Sequence, residues 1–418
     1  MTQEIPSRLD LAWLHGGPLA RALAVLDGDG EEARVIGGAV RNALLGEPHG
    51  DIDVATTALP EEVIRRADAA GFKTVPTGIE HGTVTVIVEG EPIEVTTLRR
   101  DVETFGRKAV VRFGRDWKAD AERRDFTINA LSLRRDGTVV DLVGGRADIA
   151  ARRVRFIGEP AERIREDYLR ILRFFRFHAA YGAGEPDRAG LHAAITLRAG
   201  MELLSRERVR MELMKLLVAP RAAATLEVMA DAGLIEPIVG VPMVAHVARL
   251  TTIEAVLALP PDAVLRLGAL AVHVPDDAER LAEHLRLANI ERDRLRSMSE
   301  HWRQLAADVA TNNEAAWRAL LYRLGPERYR DRVLFAWLRS GDGAAAERWR
   351  ECATLPARWQ APRFPLRAAD FIARGVPKGP RLGAALLEAE EVWIAAGFPQ
   401  DLADLTRILD AGVARHRD

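Results

Sequence analysis

Gly37-Gly38-Ala39-Val40-Arg41 stands ten residues ahead of Asp51-Ile52-Asp53 in this chain of 418 residues. Two adjacent glycines leave backbone N–H groups open to an anion, and a helix that starts there adds its positive end. Side chains two apart on a strand face the same side, so the two aspartates would project together. Paired carboxylates suit Mg²⁺, which binds few protein ligands and is also coordinated by phosphate oxygens. The order predicts a phosphate site, with Arg41 one turn into the helix, joined to a metal site.

A third carboxylate is predicted at Glu94, in the β-rich run Ile93–Leu98. An adjacent antiparallel strand would carry it to the metals; the alternative is an exposed glutamate on an edge strand. A lone Asp-x-Asp is usually a solvated turn, so the prediction depends on the other parts of the site. No Gly-Lys pair occurs, which excludes a P-loop.

The composition is typical of a globular protein with several domains, since 418 residues exceed one ordinary core. The only cysteine is Cys352, which excludes an intramolecular disulfide and argues against a cysteine-based zinc site. Met1–Asp10 lacks the apolar core of a signal peptide, and no apolar run is long enough to span a bilayer. These features predict a cytoplasmic protein.

The net charge of −2 conceals a basic stretch. Between Arg99 and Arg176 there are 20 Lys and Arg against 13 Asp and Glu. Such a stretch can mark a polyanion partner, although a solvated arginine-rich surface is the simpler reading from charge alone.

Strand and helix signals are mixed up to about Gly145, and helical spacing dominates afterwards. Helices are predicted over Leu9–Leu26 and from Pro60 to Ala70, and hairpins at 83–98 and 131–142. Arg99–Asp120 is charged and without clear periodicity, which predicts a mobile loop. The fold class is therefore α+β: a small mixed head on an all-helical body. We predict a head over 1–145 and three helical parts over 146–218, 219–330 and 331–418.

The segment from Glu166 to Arg176 has strong helical spacing, which would place Asp167, Arg170 and Arg173 on one face. An intrahelical ladder of salt bridges is one reading. The other is base recognition, because a carboxylate accepts a hydrogen bond and an arginine donates one. Cytosine and adenine both present an exocyclic amine beside an acceptor nitrogen, whereas guanine and uracil present the opposite pattern. Asp167 and Arg170 would thus accept C and A.

The element Arg123-Arg124-Asp125-Phe126-Thr127-Ile128-Asn129 lies between the charged loop and the second hairpin. Asp125 could accept a hydrogen bond from a ribose 2′-hydroxyl, and Arg124 could bind phosphate through two donors. Asn129 is included among the nucleotide-binding candidates. A helix cap with flanking charges is the alternative reading.

Together these residues resemble the class II tRNA nucleotidyltransferases, the CCA-adding enzymes, and the related bacterial poly(A) polymerases. The resemblance covers Val35 to about Tyr181 in one order. Its motifs are Gly37-Gly38-Ala39-Val40-Arg41, Gly50-Asp51-Ile52-Asp53, His81-Gly82-Thr83, Glu94-Val95-Thr96-Thr97, Arg123-Arg124-Asp125 and Glu166-Asp167-x-x-Arg170-x-x-Arg173.

The resemblance implies a polymerase-β-like nucleotidyltransferase head followed by an all-α neck (146–218), body (219–330) and tail (331–418). It also implies base recognition by the neck and tRNA binding by the tail. It implies that Asp51 and Asp53 bind Mg²⁺ and that Glu94 is the third catalytic carboxylate. It also implies that Asp167 and Arg170 select CTP and then ATP, with Arg173 and Arg176 in support. Template-independent addition of CCA to the 3′ end of tRNA, with release of pyrophosphate, is the expected activity.

One departure from the family pattern, and several alternative functions, bear on this expectation. The family often has aspartate after the motif arginine, where this chain has Asn42. Poly(A) polymerases tend to carry an Arg-Arg-Phe element that is missing from Gly71-Phe72-Lys73-Thr74-Val75. A poly(A) polymerase, an enzyme that adds only C or only A, and a non-catalytic RNA-binding protein remain the alternatives. The chain has no His-Asp dipeptide, so no appended hydrolase activity is expected.

Overall fold

The computed structural model describes residues 5–105, 108–341 and 346–416, with the backbone alone for 100–105 and 108–111. The chain divides into two compact units, Met1–Ile238 and Val239–Asp418. The predicted boundaries at 145, 218 and 330 are finer than this division and stay predictions. None of the described helices is long and apolar enough to cross a membrane.

The first unit carries all the described strands. Its elements are α1 (Ala12–His15), α2 (Gly17–Leu26), β1 (Ala33–Ile36), α3 (Gly38–Leu45), β2 (Asp53–Thr56), α4 (Pro60–Ala69), β3 (Lys73–Gly78), β4 (Thr83–Val88), β5 (Glu91–Thr97), β6 (Arg99–Phe105), β7 (Lys108–Phe113), α5 (Trp117–Glu122), β8 (Ser132–Leu133), β9 (Val139–Val140), α6 (Gly145–Ala150), α7 (Pro160–Glu166), α8 (Leu169–Tyr181), α9 (Arg188–Thr196), α10 (Arg206–Leu217) and α11 (Ala222–Asp231).

Seven strands form one mixed sheet in the order β3-β4-β5-β2-β1-β8-β9. β1 and β2 are antiparallel, with Ile36 opposite Asp53. β2 and β5 are parallel, with Asp53 opposite Glu94. The prediction that the strand carrying Glu94 runs antiparallel to the aspartate strand was therefore wrong, since β5 is parallel to β2. The chain passes through α4, β3 and β4 before β5 pairs with β2. The residues of β5 alone do not specify whether that pairing is parallel or antiparallel.

The segment predicted as a mobile loop, Arg99–Asp120, contains β6, β7 and α5, so that prediction was wrong over its described residues. β6 and β7 pair antiparallel as a separate two-stranded sheet. Their many charged residues conceal the alternation that usually reveals a strand. Residues 106–107 of this segment lie outside the described residues.

Four phenylalanines join the end of the sheet region to α8. Phe126 lies 4.8 Å from Phe156 and 5.3 Å from Phe177 between ring centroids, and Phe156 lies 5.4 Å from Phe174. All four rings are buried. Because Asp125 immediately precedes Phe126, this aromatic packing fixes Asp125 against the helix that carries Arg170, Arg173 and Arg176.

The described part of the second unit is helical. After α12 (Glu236–Val239), which spans the boundary, it contains α13 (Val244–Val256), α14 (Ala263–Ala271), α15 (Asp277–Leu285), α16 (Asn289–Ser299), α17 (Trp302–Ala310), α18 (Glu314–Ser340), α19 (Ala346–Arg358), α20 (Ala368–Ala373), α21 (Pro380–Ala395) and α22 (Leu402–Ala414). Phe371 and Trp393 centre the core of its last three helices. The sequence-based fold class, an α+β head followed by helices, is confirmed.

Candidate nucleotide and metal site

The glycine pair forms the turn between β1 and α3. Gly37 has φ 70° and ψ −124°, a conformation that strains any residue with a Cβ. A Cβ at Gly37 would lie 3.6 Å from Nη1 of Arg124, and one at Gly38 would lie 3.6 Å from Nη2 of Arg41. Two guanidinium groups thus lie against the glycine backbone at the N-terminus of a helix, where an anion is favoured.

Arg41 is buried and held by uncharged partners. Its Nη1 donates to Oδ1 of Asn129 at 2.6 Å, and its Nη2 donates to Oδ1 of Asn42 at 2.8 Å and to the Tyr181 hydroxyl at 2.7 Å. The guanidinium carbon also lies 3.9 Å from the centroid of the Tyr181 ring. Asn42, at the position where the resemblance favours aspartate, therefore positions Arg41 through a neutral side chain.

No carboxylate forms an ion pair with Arg41 in the described part of the chain. Burial lowers the pKa of this guanidinium, and the positive charge of Arg176 lowers it further, although Tyr181 and Glu47 oppose that shift. A buried cation with only neutral hydrogen-bond partners is stabilised by an incoming anion. Arg41 is accordingly well placed for a phosphate group.

The carboxylates are arranged around the start of β2. Asp53 is the first residue of that strand, and its register partner Glu94 lies beside it on β5. Asp51 is exposed and lies in a bend two residues before the strand begins, so the prediction that both aspartates lie on one strand was wrong for Asp51. Burial raises the pKa of Asp53; the negative charges of Glu94 and Asp51 raise it further, while Arg124 lowers it.

The surroundings of Asp53 fit a divalent cation, because a cation would relieve the repulsion that Glu94 and Asp51 exert on its carboxylate. Among the described residues, no three His, Cys, Asp or Glu side chains converge closely enough to enclose a metal by themselves. Such a site agrees with Mg²⁺, which usually binds one or two carboxylates and completes its shell with water and substrate phosphates.

Asp167 lies between two helices. Its φ of −156° and ψ of 107° are extended, so the prediction that it shares a helical face with Arg170 was wrong. Its Oδ1 accepts the N–H of Leu169 at 3.1 Å, as a helix cap does, and its Oδ2 accepts from Nη2 of Arg208 at 2.6 Å. The capping contact stabilises the start of α8, and the extended backbone at Asp167 separates α8 from α7, which ends at Glu166.

Arg170 is fixed from the side of α7. Its Nη1 donates to the carbonyl oxygen of Arg163 at 2.8 Å and to Oε2 of Glu166. Both contacts use the same nitrogen. The described residues therefore leave Nε and Nη2 of Arg170 as the donors for a ligand.

Asp125 is the centre of a second network. Its Oδ1 accepts from the backbone of Phe126 at 2.8 Å and from Nδ2 of Asn129 at 3.1 Å. Its Oδ2 accepts from Nε and Nη2 of Arg173 at 2.8 and 2.6 Å. Burial alone would raise the pKa of Asp125, but Arg173 and these hydrogen bonds lower it overall. Since Asn129 also binds Arg41, the network connects the phosphate site to α8.

Arg176 and Arg173 both contact Glu212, a carboxylate of α10 that is 1 % exposed. The helical spacing of 203–217 predicts α10, but sequence reasoning named none of its residues for the site, although it supplies Arg208, Met211 and Glu212 to this region. Arg208 and Glu212 are four residues apart, a spacing that places them on one helical face. Nothing in the segment itself tells that this face meets Asp167 and α8.

One cleft of about 700 Å³ joins these groups in the first unit. Eleven of the thirteen predicted site residues line it: Gly37, Gly38, Arg41, Asp53, Arg124, Asp125, Asn129, Asp167, Arg170, Arg173 and Arg176. Asp51 and Glu94 are the predicted site residues outside that lining, beside Asp53. Leu169, Phe177, Arg208, Met211 and Glu212 complete it. The cleft thus brings together the arginines and glycines of the predicted phosphate site, Asp53 of the predicted metal site and the predicted base-reading pair.

Comparison with known proteins identifies relatives of this chain. Residues 33–155 match the poly(A) polymerase head domain, and residues 191–246 match a family described as the probable RNA and SrmB-binding site of polymerase A. The mitochondrial CCA tRNA nucleotidyltransferase 1 of Mus musculus is 33% identical over 392 residues, which span 90% of this chain and 86% of the mouse protein. The CCA-adding enzyme of Geobacillus stearothermophilus is 42% identical over 223 residues, 52% of this chain and 54% of that protein.

A crystal structure of the Bacillus stearothermophilus CCA-adding enzyme in complex with CTP superimposes with a TM-score of 0.70 at 28% identity and covers 95% of this chain and 98% of that one. The Thermotoga maritima CCA-adding enzyme, complexed with a tRNA, has the same TM-score at 18% identity, which supports the fold. The predicted family is confirmed by extended identity as well as by shape. The chain belongs to the family of CCA-adding class II tRNA nucleotidyltransferases.

Proposed function

We propose that this chain adds C, C and A to the 3′ end of tRNA without a nucleic-acid template, with CTP and ATP as substrates and pyrophosphate as the released product. The observation that carries the proposal is the single cleft in which Asp53, Arg41 and the pair Asp167–Arg170 lie together. A nucleoside triphosphate needs these three elements: a metal edge, a phosphate cradle and a base reader. The nucleotidyltransferase family of the chain agrees with it.

The phosphates of the nucleotide would bind at the start of α3. The N–H of Gly37 donates to the carbonyl oxygen of Leu131, so the N–H groups of the first turn of α3 would face the phosphates. Nη1 of Arg124 lies 3.6 Å from where a Cβ at Gly37 would be, and Nη2 of Arg41 lies 3.6 Å from where a Cβ at Gly38 would be. Since Arg41 has neutral partners in the described residues, the triphosphate would supply its counter-charge. Binding and charge neutralisation would thus coincide at one residue.

The base would be read along its Watson–Crick edge. Asp167 would accept the exocyclic amine hydrogen of cytosine or adenine, and Nε or Nη2 of Arg170 would donate to the ring nitrogen. Guanine and uracil present a carbonyl and an N–H at these positions, so both contacts become unfavourable, at about 1–3 kcal/mol each. Arg208 and Glu166 hold the two reading groups in place from outside the base.

Asp51, Asp53 and Glu94 would hold Mg²⁺ at the edge of the sheet together with water and the substrate phosphates, since the described carboxylates do not enclose an ion by themselves. When bound, such ions would reduce the charge on the attacking 3′-oxygen and on the departing pyrophosphate. The chain's own contribution is positioning: Asp53 and Glu94 fix the metal edge on neighbouring strands, and Arg41 and Arg124 keep the triphosphate aligned with it. This division of roles requires no covalent intermediate.

Asp125 serves first to position Arg173 and Asn129. Its two oxygens have about four acceptor positions, and Phe126, Asn129 and the two nitrogens of Arg173 already occupy four. A ribose 2′-hydroxyl can therefore bind Asp125 only by replacing one of these donors. Selection of ribonucleotides by Asp125 would therefore require one of these hydrogen bonds to break when the nucleotide binds.

The helical part of the chain would bind tRNA, and the tail over 331–418 would contact the tRNA backbone. A cytoplasmic location is part of the same proposal, and the single Cys352 agrees with a reducing compartment. Cell fractionation with an antibody to the chain tests the location independently of the activity.

The metal role is tested with the double variant Asp51→Ala, Asp53→Ala. The variant should bind tRNA as the unchanged chain does but release no pyrophosphate from CTP at any Mg²⁺ concentration. Normal incorporation by the double variant would contradict the proposed mechanism. Asp136→Ala, an exposed turn aspartate between β8 and β9, is the matched control and should stay active.

A further inference from the structure

The cleft has little apolar surface to offer a nucleotide base. Its apolar lining residues are Leu169, Phe177 and Met211. Leu169 and Phe177 are only 4% and 6% exposed, whereas Met211 is 47% exposed. The guanidinium of Arg176 also covers the Phe177 ring, 4.0 Å from its centroid. Met211 therefore supplies most of the accessible apolar side-chain surface among the described lining residues.

Met211 also lies in the right part of the cleft. It follows Arg208 by three residues on α10, so the two side chains share a helical face. Arg208 donates to Oδ2 of Asp167 at 2.6 Å, which brings that face to the proposed base-reading pair. An apolar side chain that is 47% exposed, next to the group that reads the edge of a base, is placed to meet the face of that base.

We propose that the Met211 side chain packs against the face of the incoming nucleotide's base while Asp167 and Arg170 read its edge. This inference rests on the proposed function and names a contact within the same site. A thioether is polarizable and flexible, and sulfur packs favourably on aromatic rings. Every base has a π-face, so this contact is insensitive to base identity. Met211 would accordingly contribute affinity equally for C and A, and Asp167 with Arg170 would contribute selectivity.

The test compares Met211→Ala and Met211→Leu with the unchanged chain. Titration calorimetry with CTP, with ATP and with inorganic tripolyphosphate, without tRNA, should show about three- to tenfold weaker binding of both nucleotides to Met211→Ala. Tripolyphosphate should bind as before, because it has no base. Met211→Leu, which keeps an apolar side chain of similar size, should recover most of the affinity. Leu203→Ala removes another exposed apolar side chain of the same unit, outside the cleft lining, and should change nothing.

Steady-state assays with CCA-lacking tRNA complete the test. In Met211→Ala, KM for CTP and for ATP should rise by the same factor as the dissociation constants, with kcat and the preference for CTP over UTP retained. Unchanged nucleotide binding would overturn the inference, as would a rise confined to KM for tRNA, which would assign Met211 to the RNA end. Weakened CTP binding in a chain that incorporates no nucleotide would support Met211 and contradict the proposed function instead.

Discussion

Nη2 of Arg208 donates a hydrogen bond to Oδ2 of Asp167 at 2.6 Å, between residues 41 positions apart in the chain. The other carboxylate oxygen of Asp167 accepts the N–H of Leu169 at the start of α8. Two fixed contacts thus orient a carboxylate that lies outside any helix. Its direction in the cleft depends on α10 as well as on the motif that contains it.

Removal of this contact should relax base selection. In Arg208→Ala, Asp167 keeps its capping contact but loses the group that fixes Oδ2, so the preference for CTP over UTP should fall about tenfold. Competition between the two nucleotides on CCA-lacking tRNA measures the ratio. Lys215→Ala removes an exposed cation of the same helix that is outside the cleft lining and should keep the ratio. An unchanged ratio in Arg208→Ala would assign Arg208 to folding alone.

Glu94 and Glu91 allow a matched comparison on one strand. Glu94 lies beside Asp53, whereas Glu91 lies opposite Val88 at the far end of β5. Glu94→Gln should lower kcat about a thousandfold, because loss of a metal-binding carboxylate removes several kcal/mol of transition-state stabilisation. Glu91→Gln should stay within about twofold of the unchanged chain. Equal effects of the two changes on pyrophosphate release would refute a metal role for Glu94.

Asn42→Asp tests whether the neutral surroundings of Arg41 matter. Both Nε and Nη2 of Arg41 donate to Oδ1 of Asn42, so an aspartate there would neutralise much of the guanidinium charge. Inorganic tripolyphosphate should then bind about three- to tenfold more weakly, in keeping with the strength of charge-assisted hydrogen bonds. Asn312→Asp adds the same charge to an exposed position of the second unit and serves as the control. Tighter binding to Asn42→Asp would contradict this account of Arg41.

His178 should make the first unit sensitive to acid. Burial lowers its pKa to about 4, with a further contribution from the charge of Arg221, against an ordinary value of 6.5. The unfolded chain therefore binds the proton more readily, and stability falls as pH drops from 6.5 towards 4, by up to about 3 kcal/mol. His178→Gln should flatten this dependence in urea unfolding curves, while His192→Gln, at an exposed site, should not. Equal curves for both variants would exclude His178 as the cause.

Exposed cations of the tail test its predicted contact with tRNA. Arg367, Lys378 and Arg381 lie on or beside α20 and α21 and are all exposed. Their combined replacement by alanine should raise KM for tRNA and reduce the slope of log affinity against log salt by about 2 to 3. KM for CTP with saturating tRNA is the internal control and should stay constant. A salt dependence identical to that of the unchanged chain would place the tRNA contacts elsewhere.

The sequence predicted which residues line the cleft better than it predicted the hydrogen bonds and strand pairings that position them. Local rules identify the glycine turn, since Gly37 has a positive φ, and the hairpin of β8 and β9 around Asp136-Gly137. Periodicity placed Asp167 in a helix because its neighbours are good helix formers. The extended backbone there arises from a capping hydrogen bond and from Arg208, and a contact over 41 residues leaves no mark in a local pattern.

Contacts between distant parts of the chain also explain two other features that the sequence did not predict. These are the parallel pairing of β2 with β5 and the contribution of α10 to the site. Strand direction follows from the path of the chain through α4, β3 and β4, and not from the residues of β5 itself. Glu212 is a charged residue that is 1% exposed, and only the arrival of Arg173 and Arg176 from α8 makes its burial favourable. Such pairs depend on tertiary packing, which a single sequence does not encode in any short segment.

The most direct measurement is the length and sequence of the product formed from a tRNA that lacks its 3′ CCA. With Mg²⁺, CTP and ATP together, the chain should extend this tRNA by C, C and A, stop there, and release one pyrophosphate for each nucleotide. CTP alone should give only added C, and UTP and GTP should give no product. Long A tails from ATP alone, or no incorporation by a folded chain that binds CTP, would contradict the account.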